Sequence, residues 1–268
     1  MSPEQSLTLS HRVPHVSWLP PDNNTLHQQA AALADTLGTT CVHQQQLPAG
    51  LTLLYTNSGL ELQEREPQKG KISGRLHVNF LSAPLRYRLR HGGGIRQPLA
   101  RAVGIKPGHR PTIVDATAGL GIDGFILASL GCKVTLIERS LILAALLKDG
   151  LNRAEDNPIC KTIINRISLQ SGNAIDLLDQ LHISPETIYL DPMYPERDKA
   201  ALNKQEMRLI RTLVGDDHDS ELLLDTALTI ASERVVVKRP KRAPQLTLTR
   251  PTHSIHMKNS RFDVYLIR

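Results

Sequence analysis

Between residues 112 and 238 the apolar positions switch repeatedly between two periods. Short runs rich in apolar and β-branched residues, at 113–114, 133–137, 167–170, 187–190 and 234–238, read as strands. The segments between them carry apolar residues three and four apart. They predict helices at 125–130, stopped by Gly131, and at 141–152, 175–181, 207–214 and 221–231. Residues 253–258 and 262–267 read as a closing hairpin. Strands joined by helices predict an α/β fold with a doubly wound, mostly parallel sheet. In such a sheet the ligand lies beyond the carboxyl ends of the strands.

Ahead of residue 107 the pattern is different. Residues 1–23 are rich in Pro, Ser and His and show neither period, which predicts a partly ordered arm. A stripe of Leu26, Ala30, Leu33 and Leu37 predicts a helix over 25–37 with Gly38 as its stop. Residues 39–46 are a candidate strand, and 51–55 with 60–65 read as a hairpin around Asn57-Ser58-Gly59. A loop over 67–74, a weakly alternating strand over 76–81 and a helix over 97–103 complete this part. The predicted organisation is therefore an arm (1–23), a small α+β unit (24–106) and a larger domain (107–268). His91-Gly92-Gly93-Gly94 is either a hinge or loop lying against a ligand, or a plain connector.

The net charge of +6 becomes informative through its distribution. Residues 67–110 contain no Asp or Glu but hold Arg86, Arg88, Arg90, Arg96 and Arg101 among other cations. From Arg234 onward nine Lys and Arg residues face one acid, Asp263, while Asp216, Asp217, Asp219, Glu221 and Asp225 cluster. This segregation predicts a one-sided basic surface suited to a polyanion. No apolar run is long enough to span a bilayer, and the first residues lack a signal-peptide pattern. Cys41, Cys132 and Cys160 lie far apart, with no metal or disulfide spacing, and His182, His218, His253 and His256 add no ligand set. A metal-free protein of the reducing cytoplasm is expected.

The chemistry concentrates at the ends of the predicted strands. Gly119, Gly121 and Gly124 form G-x-G-x-x-G between a strand and a helix, and Glu138 follows about 20 residues on at the end of the next strand. Nicotinamide, flavin and S-adenosylmethionine (SAM) sites can all be built on such a turn. Asp115 completes D-x-T-x-G-x-G, which resembles the first motif of SAM-dependent methyltransferases, and a carboxylate there suits a cationic ligand better than a pyrophosphate. Asn173 and Asp191 follow the ends of the next two strands, so one crevice would collect Gly119, Glu138, Asn173 and Asp191.

Asp191-Pro192-Met193-Tyr194 resembles the Asn/Asp-Pro-Pro-Phe/Tyr motif of enzymes that methylate exocyclic base amines. Such an amine has its lone pair delocalised into the ring. The Asp191 carboxylate and the Pro192 carbonyl would accept its N–H groups and stabilise the charge that develops, and Tyr194 would offer a stacking face. A nicotinamide-dependent oxidoreductase and a non-catalytic RNA-binding protein remain as alternatives.

Taken together, VDATAGLGIDGFILASLGC, LIER, AALLKDGL, YLDPMYP, EMRLIRTLVG, RVVVKRP and RFDVYL, preceded by HGGG and AVGIKPG, resemble the RsmJ-type ribosomal RNA small-subunit methyltransferases from about Ala30 to the C-terminus. The resemblance implies a Rossmann-like SAM-methyltransferase sheet and methyl transfer from SAM to a guanine N2 near the 3′ end of 16S rRNA in the small ribosomal subunit. It places Ile122, Asp123, Glu138, Arg139, Asn173, Ala174 and Asp191 around SAM. Ile122 stands where the family often has Arg, and Asn173-Ala174 where Ser-Ser is common.

Overall fold

The computed structural model describes residues 14–66, 71–193, 204–214 and 219–267. The chain divides into two compact units, Met1–His77 with Ala200–Gly215, and Val78–Lys199 with Asp216–Arg268.

In the smaller unit a four-stranded sheet runs in the order β1 (His15–Trp18), β2 (Gly50–Thr56), β3 (Gly59–Arg65), β4 (Ile72–Leu76). β1 pairs parallel to β2, and the remaining pairs are antiparallel. The parallel pair needs a crossover, which helix α1 (Asn24–Leu37) provides. Asn23 caps α1 by accepting the Leu26 N–H, and Gly38 ends it in the left-handed region at φ 61°.

Three expectations are corrected here. Part of the predicted arm is the strand β1, whose Val16, Ser17 and Trp18 are buried. Residues 39–46 form only a bridge from Cys41 to Val16 and one 3₁₀ turn, Gln44–Gln46. The strand expected at 76–81 ends at Leu76 and begins at Ile72, inside the expected loop. Period-two alternation is weak evidence in so short a run, and pairing with β3 sets the bounds.

The larger unit holds a seven-stranded sheet. β5 (Ile113–Asp115), β6 (Val134–Glu138), β7 (Ile167–Ser171), β8 (Thr187–Leu190) and β9 (Arg234–Pro240) are mutually parallel. They are completed by the antiparallel hairpin β10 (His253–His256) and β11 (Ser260–Leu266). The order is β7-β6-β5-β8-β9-β11-β10, so the direction of winding reverses beside β5. Val114, Ile188, Leu190, Val235 and Val237 pack against α7 (Ala174–Asp179) and α9 (Ser220–Ile230) on one face. On the other face Val134 and Leu136 meet α4 (Ile122–Ser129), and Leu136 also approaches Leu147 of α5 (Leu141–Glu155) at Gly121. The inner strands β5, β6, β8 and β9 are mostly buried, which is why they read as apolar runs, whereas the edge strand β7 has no fully buried residue and alternates apolar with polar.

The unit boundary falls between His77 and Val78, so residues 78–106, expected with the N-terminal unit, lie in the larger one. There α2 (Ala83–His91) and α3 (Pro98–Ala102) form, and Phe80 stacks on Phe125 at 4.5 Å. Conversely α8 (Lys204–Val214) belongs to the smaller unit, where Leu209 packs on Gly74 and Arg208 pairs with Glu64. A short helix, α6 (Pro158–Ile164), capped by Asn157, was not anticipated from the periodicity. The predicted basic surface loses two members, because Arg239 and Arg261 are buried. Arg261 instead pairs with Asp263 at 2.8 Å and donates to the carbonyls of Pro240, Lys241 and Ala243.

Candidate active site

β5 ends on Asp115, and the chain then turns through Thr117 to Gly121 into α4. Gly119 and Gly121 both hold positive φ (54° and 71°), where L side chains are strained. An added Cβ at Gly121 would lie 2.6 Å from Leu147 Cδ1, and one at Gly124 would lie 2.3 Å from Leu136 Cδ2. Gly124 thus lets α4 sit directly on β6. Over Gly119 the space is open, since its Cβ would meet only the Thr117 carbonyl at 4.0 Å.

Glu138, the last residue of β6, is buried and fastens this turn. Its Oε2 accepts the Gly119 N–H at 2.7 Å and its Oε1 accepts the Ser140 N–H at 2.8 Å. Ser140 in turn caps α5. Asn173 caps α7, its Oδ1 accepting the Ile175 N–H at 3.0 Å, with Ala174 buried beside it. Asp191 follows β8, and its N–H donates to Thr117 Oγ1 at 2.6 Å. The ends of four adjacent strands therefore bring Gly119, Glu138, Asn173 and Asp191 to one edge of the sheet, as the order of motifs predicted. Pro192 is buried next to Asp191, whereas Tyr194 lies outside the described residues.

Several expected site residues have a different immediate role. Asp115 is 2 % exposed, and its Oδ1 accepts the Thr117 N–H at 3.2 Å. Burial, reinforced by the nearby Asp123 charge, pushes its carboxyl well above the usual range, so it supports the turn from beneath. Arg139 pairs with Asp219 at 3.1 Å, before α9. Asp123, in the first turn of α4, is the hub of an ion-pair network. Arg88 Nη2 lies 3.2 Å from its Oδ1, while the Tyr189 hydroxyl (2.9 Å) and Lys238 Nζ (3.1 Å) both donate to its Oδ2. Burial opposes the Asp123 charge, but Lys238 and then Arg88 outweigh it and hold its carboxyl below the ordinary value. Lys238 also reaches Asp191 Oδ2 at 2.7 Å. Burial works against its ammonium, yet Asp191 and Asp123 raise its pKa overall.

Lys238, Thr117 and Tyr189 were not singled out from the sequence. Lys238 could have been flagged as a cation ending a strand of buried valines. Thr117 is the threonine of the D-x-T-x-G-x-G motif, but its contact with Asp191, like that of Tyr189 with Asp123, carried no separable signal, because the partners are 74 and 66 residues away. At the amino ends of the strands His109, Glu186 and Glu233 bring ligand atoms within 4.8 Å of one another, the one such group found among the described residues. There Arg234 already pairs with Glu233, and Thr112 donates its N–H to Glu186.

The carboxyl-end crevice fits SAM. The turn is open above Gly119, the last residue of β6 is a carboxylate suited to ribose hydroxyls, and Asp123, Glu138 and Asp191 outnumber Lys238 and Arg88, which favours a cationic ligand. Sheet order and site together define a SAM-dependent methyltransferase, and the model of the SAM_MT family of SAM-dependent methyltransferases matches residues 37–267. The nicotinamide-oxidoreductase alternative falls with that match.

The chain is similar to ribosomal RNA small subunit methyltransferase J of Desulfotalea psychrophila, with 51 % identity over 80 % of this chain and 82 % of that one. It is 49 % identical to the protein of that name from Thioalkalivibrio sulfidiphilus, over 90 % and 94 % of the two chains. The crystal structure of a SAM-dependent methyltransferase from Neisseria gonorrhoeae superposes with TM-score 0.71 at 34 % identity, covering 94 % of this chain and 95 % of that one. The chain belongs to the ribosomal RNA small subunit methyltransferase J family.

Proposed function

We propose that this protein transfers the methyl group of SAM to the exocyclic N2 of a guanine near the 3′ end of 16S rRNA, in the cytoplasm, with the small ribosomal subunit or its RNA as partner. The observation that carries this reading is the placement of Asp191. Its backbone is tied to Thr117 in the glycine turn, and its carboxylate is tied to Lys238, so the amine acceptor and the SAM turn share one crevice.

Bound SAM supplies a methyl group on a cationic sulfur that departs as a neutral thioether. The chain's part is to hold the amine in line and accept its hydrogens. The Asp191 carboxylate accepts one N–H and the Pro192 carbonyl the other. This keeps the nitrogen lone pair aimed at the methyl carbon and stabilises positive charge on nitrogen as the bond forms. The proton then leaves the nitrogen to solvent, so no strong base is required. Glu138 holds the ribose end of SAM through the acceptor capacity of a carboxylate. Tyr194 stacks on the guanine, which must leave its helix or already be unpaired to reach the crevice. The basic residues of 78–110 bind RNA phosphates. A cytoplasmic setting suits the three unpaired cysteines, and burial pushes the Cys132 thiol up to about 11, leaving it inert. No helix among the described residues is long and apolar enough to cross a membrane.

The test is methyl transfer from labelled SAM to small subunits from a strain lacking this protein, followed by nucleoside analysis. Label in N2-methylguanosine is expected, and it should fall about 10²- to 10³-fold with Asp191→Ala. Label in a different nucleoside would refute the assigned atom.

A further inference from the structure

Helix α2 places an aromatic ring in solvent. Tyr87 is 67 % exposed, and it is the one aromatic among the exposed large apolar side chains of the described residues. Phe80, Phe125, Tyr189, Phe262 and Tyr265 are all buried, so the fold does place its aromatic rings inside where packing calls for them. Tyr87 is also held in place. His91, one turn along the helix, stacks on it with ring centroids 4.4 Å apart and an interplanar angle of 26°. Its Nδ1 lies 3.3 Å from the Tyr87 carbonyl oxygen. One face of the tyrosine ring is thus covered by an imidazole, and its exposure leaves the other to solvent.

The surroundings are those of a polyanion site. α2 carries Arg86, Arg88, Arg90 and His91 and no acid. Arg86 and Arg90 are exposed, whereas Arg88 reaches Asp123, which shares Lys238 with Asp191. Helix α2, which carries the exposed ring, is therefore anchored to the cluster around Asp123, Lys238 and Asp191 through Arg88.

We propose that Tyr87, backed by His91, is a second stacking platform that holds an unpaired nucleotide flanking the base to be methylated. This rests on the reading of the protein as an RNA methyltransferase. Extracting a base from its stack strips its neighbour of a partner face. An aromatic ring replaces that face for any of the four bases, and flanking arginines hold the adjoining phosphates. Such a platform acts on capture of the RNA and leaves the methyl-transfer step itself unchanged.

Methyl-transfer kinetics on unmethylated small subunits, with wild type, Tyr87→Phe and Tyr87→Ala, test this. SAM affinity by calorimetry and thermal melting serve as controls, and because Tyr87 is exposed the fold should survive both changes. Tyr87→Ala should raise the KM for subunits roughly 5- to 150-fold, the range of one lost base–aromatic stack, with kcat and SAM affinity unchanged. Tyr87→Phe should stay within about twofold of wild type, because the stacking face is kept. A wild-type KM for Tyr87→Ala, or a Tyr87→Phe loss equal to that of Tyr87→Ala, overturns the proposal. So does a loss seen on subunits without any loss of affinity for protein-free 16S RNA, which would assign Tyr87 to a ribosomal protein. If the wild type transfers no methyl to RNA, the function reading has failed instead. Stacking is then judged by whether single-stranded RNA containing 2-aminopurine is bound and quenched by wild type and not by Tyr87→Ala.

Discussion

Lys238 is the residue on which the site's geometry and charge both depend, and Lys238→Met isolates its contribution. The ammonium lies 2.7 Å from Asp191 and 3.1 Å from Asp123. Removing one partner of a fully buried pair costs ~3–5 kcal/mol, and exposed pairs are worth ~0–1 kcal/mol. The side chains of Lys238, Asp123 and Asp191 are 30 %, 15 % and 41 % exposed, between these limits, so a loss of about 1–3 kcal/mol is expected near neutral pH. The sign of the pH dependence follows from the shifts. In the wild type the lowered Asp123 pKa contributes stability that is present above the unfolded value of about 4 and is lost as the pH falls through the folded value. The raised Lys238 pKa contributes stability that is full below about 10.4 and is lost as the pH rises through its folded value.

In the variant Asp123 keeps its burial but loses its largest counter-charge, so its pKa rises and its ionised form destabilises the fold. The gap between wild type and variant should be full at pH 7 and should close as the pH falls toward and through about 4. Urea denaturation at pH 7, 5.5 and 4 measures it. Catalysis should suffer separately, because Asp191 loses its anchor. A drop of roughly 10²-fold in kcat is expected for a misplacement on the order of 1 Å, with partial rescue by Lys238→Arg. A variant as stable and as active as wild type at pH 7, or a stability gap that does not narrow on acidification, would refute the reasoning.

Other perturbations probe separate parts of the site. Glu138→Gln keeps the shape but offers one acceptor oxygen where two backbone N–H groups now bind, so SAM affinity by calorimetry should fall about 10- to 100-fold, while circular dichroism shows the sheet retained. Gly121→Ala places a Cβ at φ 71° and 2.6 Å from Leu147 Cδ1; a thermal melt should report a loss of about 1–3 kcal/mol, and an unchanged melting temperature would mean the turn adapts without strain. Charge reversal of Arg86 and Arg90 should weaken RNA binding and reduce the slope of log affinity against log salt by about one per phosphate contact removed. An unaltered slope would place the RNA elsewhere. Arg88 is left out of that pair because its reversal would also disturb Asp123.

Local order was legible along the chain wherever one physical signal dominated. Strands β5, β6, β8 and β9 announce themselves as apolar runs because most of their residues are buried, and the glycines at 119, 121 and 124 mark a turn that few other sequences can make. Glu138, Asn173 and Asp191 could be assigned to one crevice because parallel strands bring every carboxyl end to the same edge. What could not be read were contacts between residues remote in sequence. The Asp123–Lys238–Asp191 network joins the start of α4, strand β9 and the end of β8, and Tyr189 reaches Asp123 across 66 positions. The fate of individual charges was equally hidden. Arg261 and Arg90 look alike in a basic stretch, yet one is buried on Asp263 and the other faces solvent. Periodicity and turn chemistry are properties of neighbouring residues, so the sequence alone determined the elements, their order and the edge where the chemistry collects. Ion pairing and burial depend on distances set only when the sheet closes, so tertiary structure alone decided which carboxylates are held charged, which one is buried beneath the turn, and which ring on α2 is left in solvent.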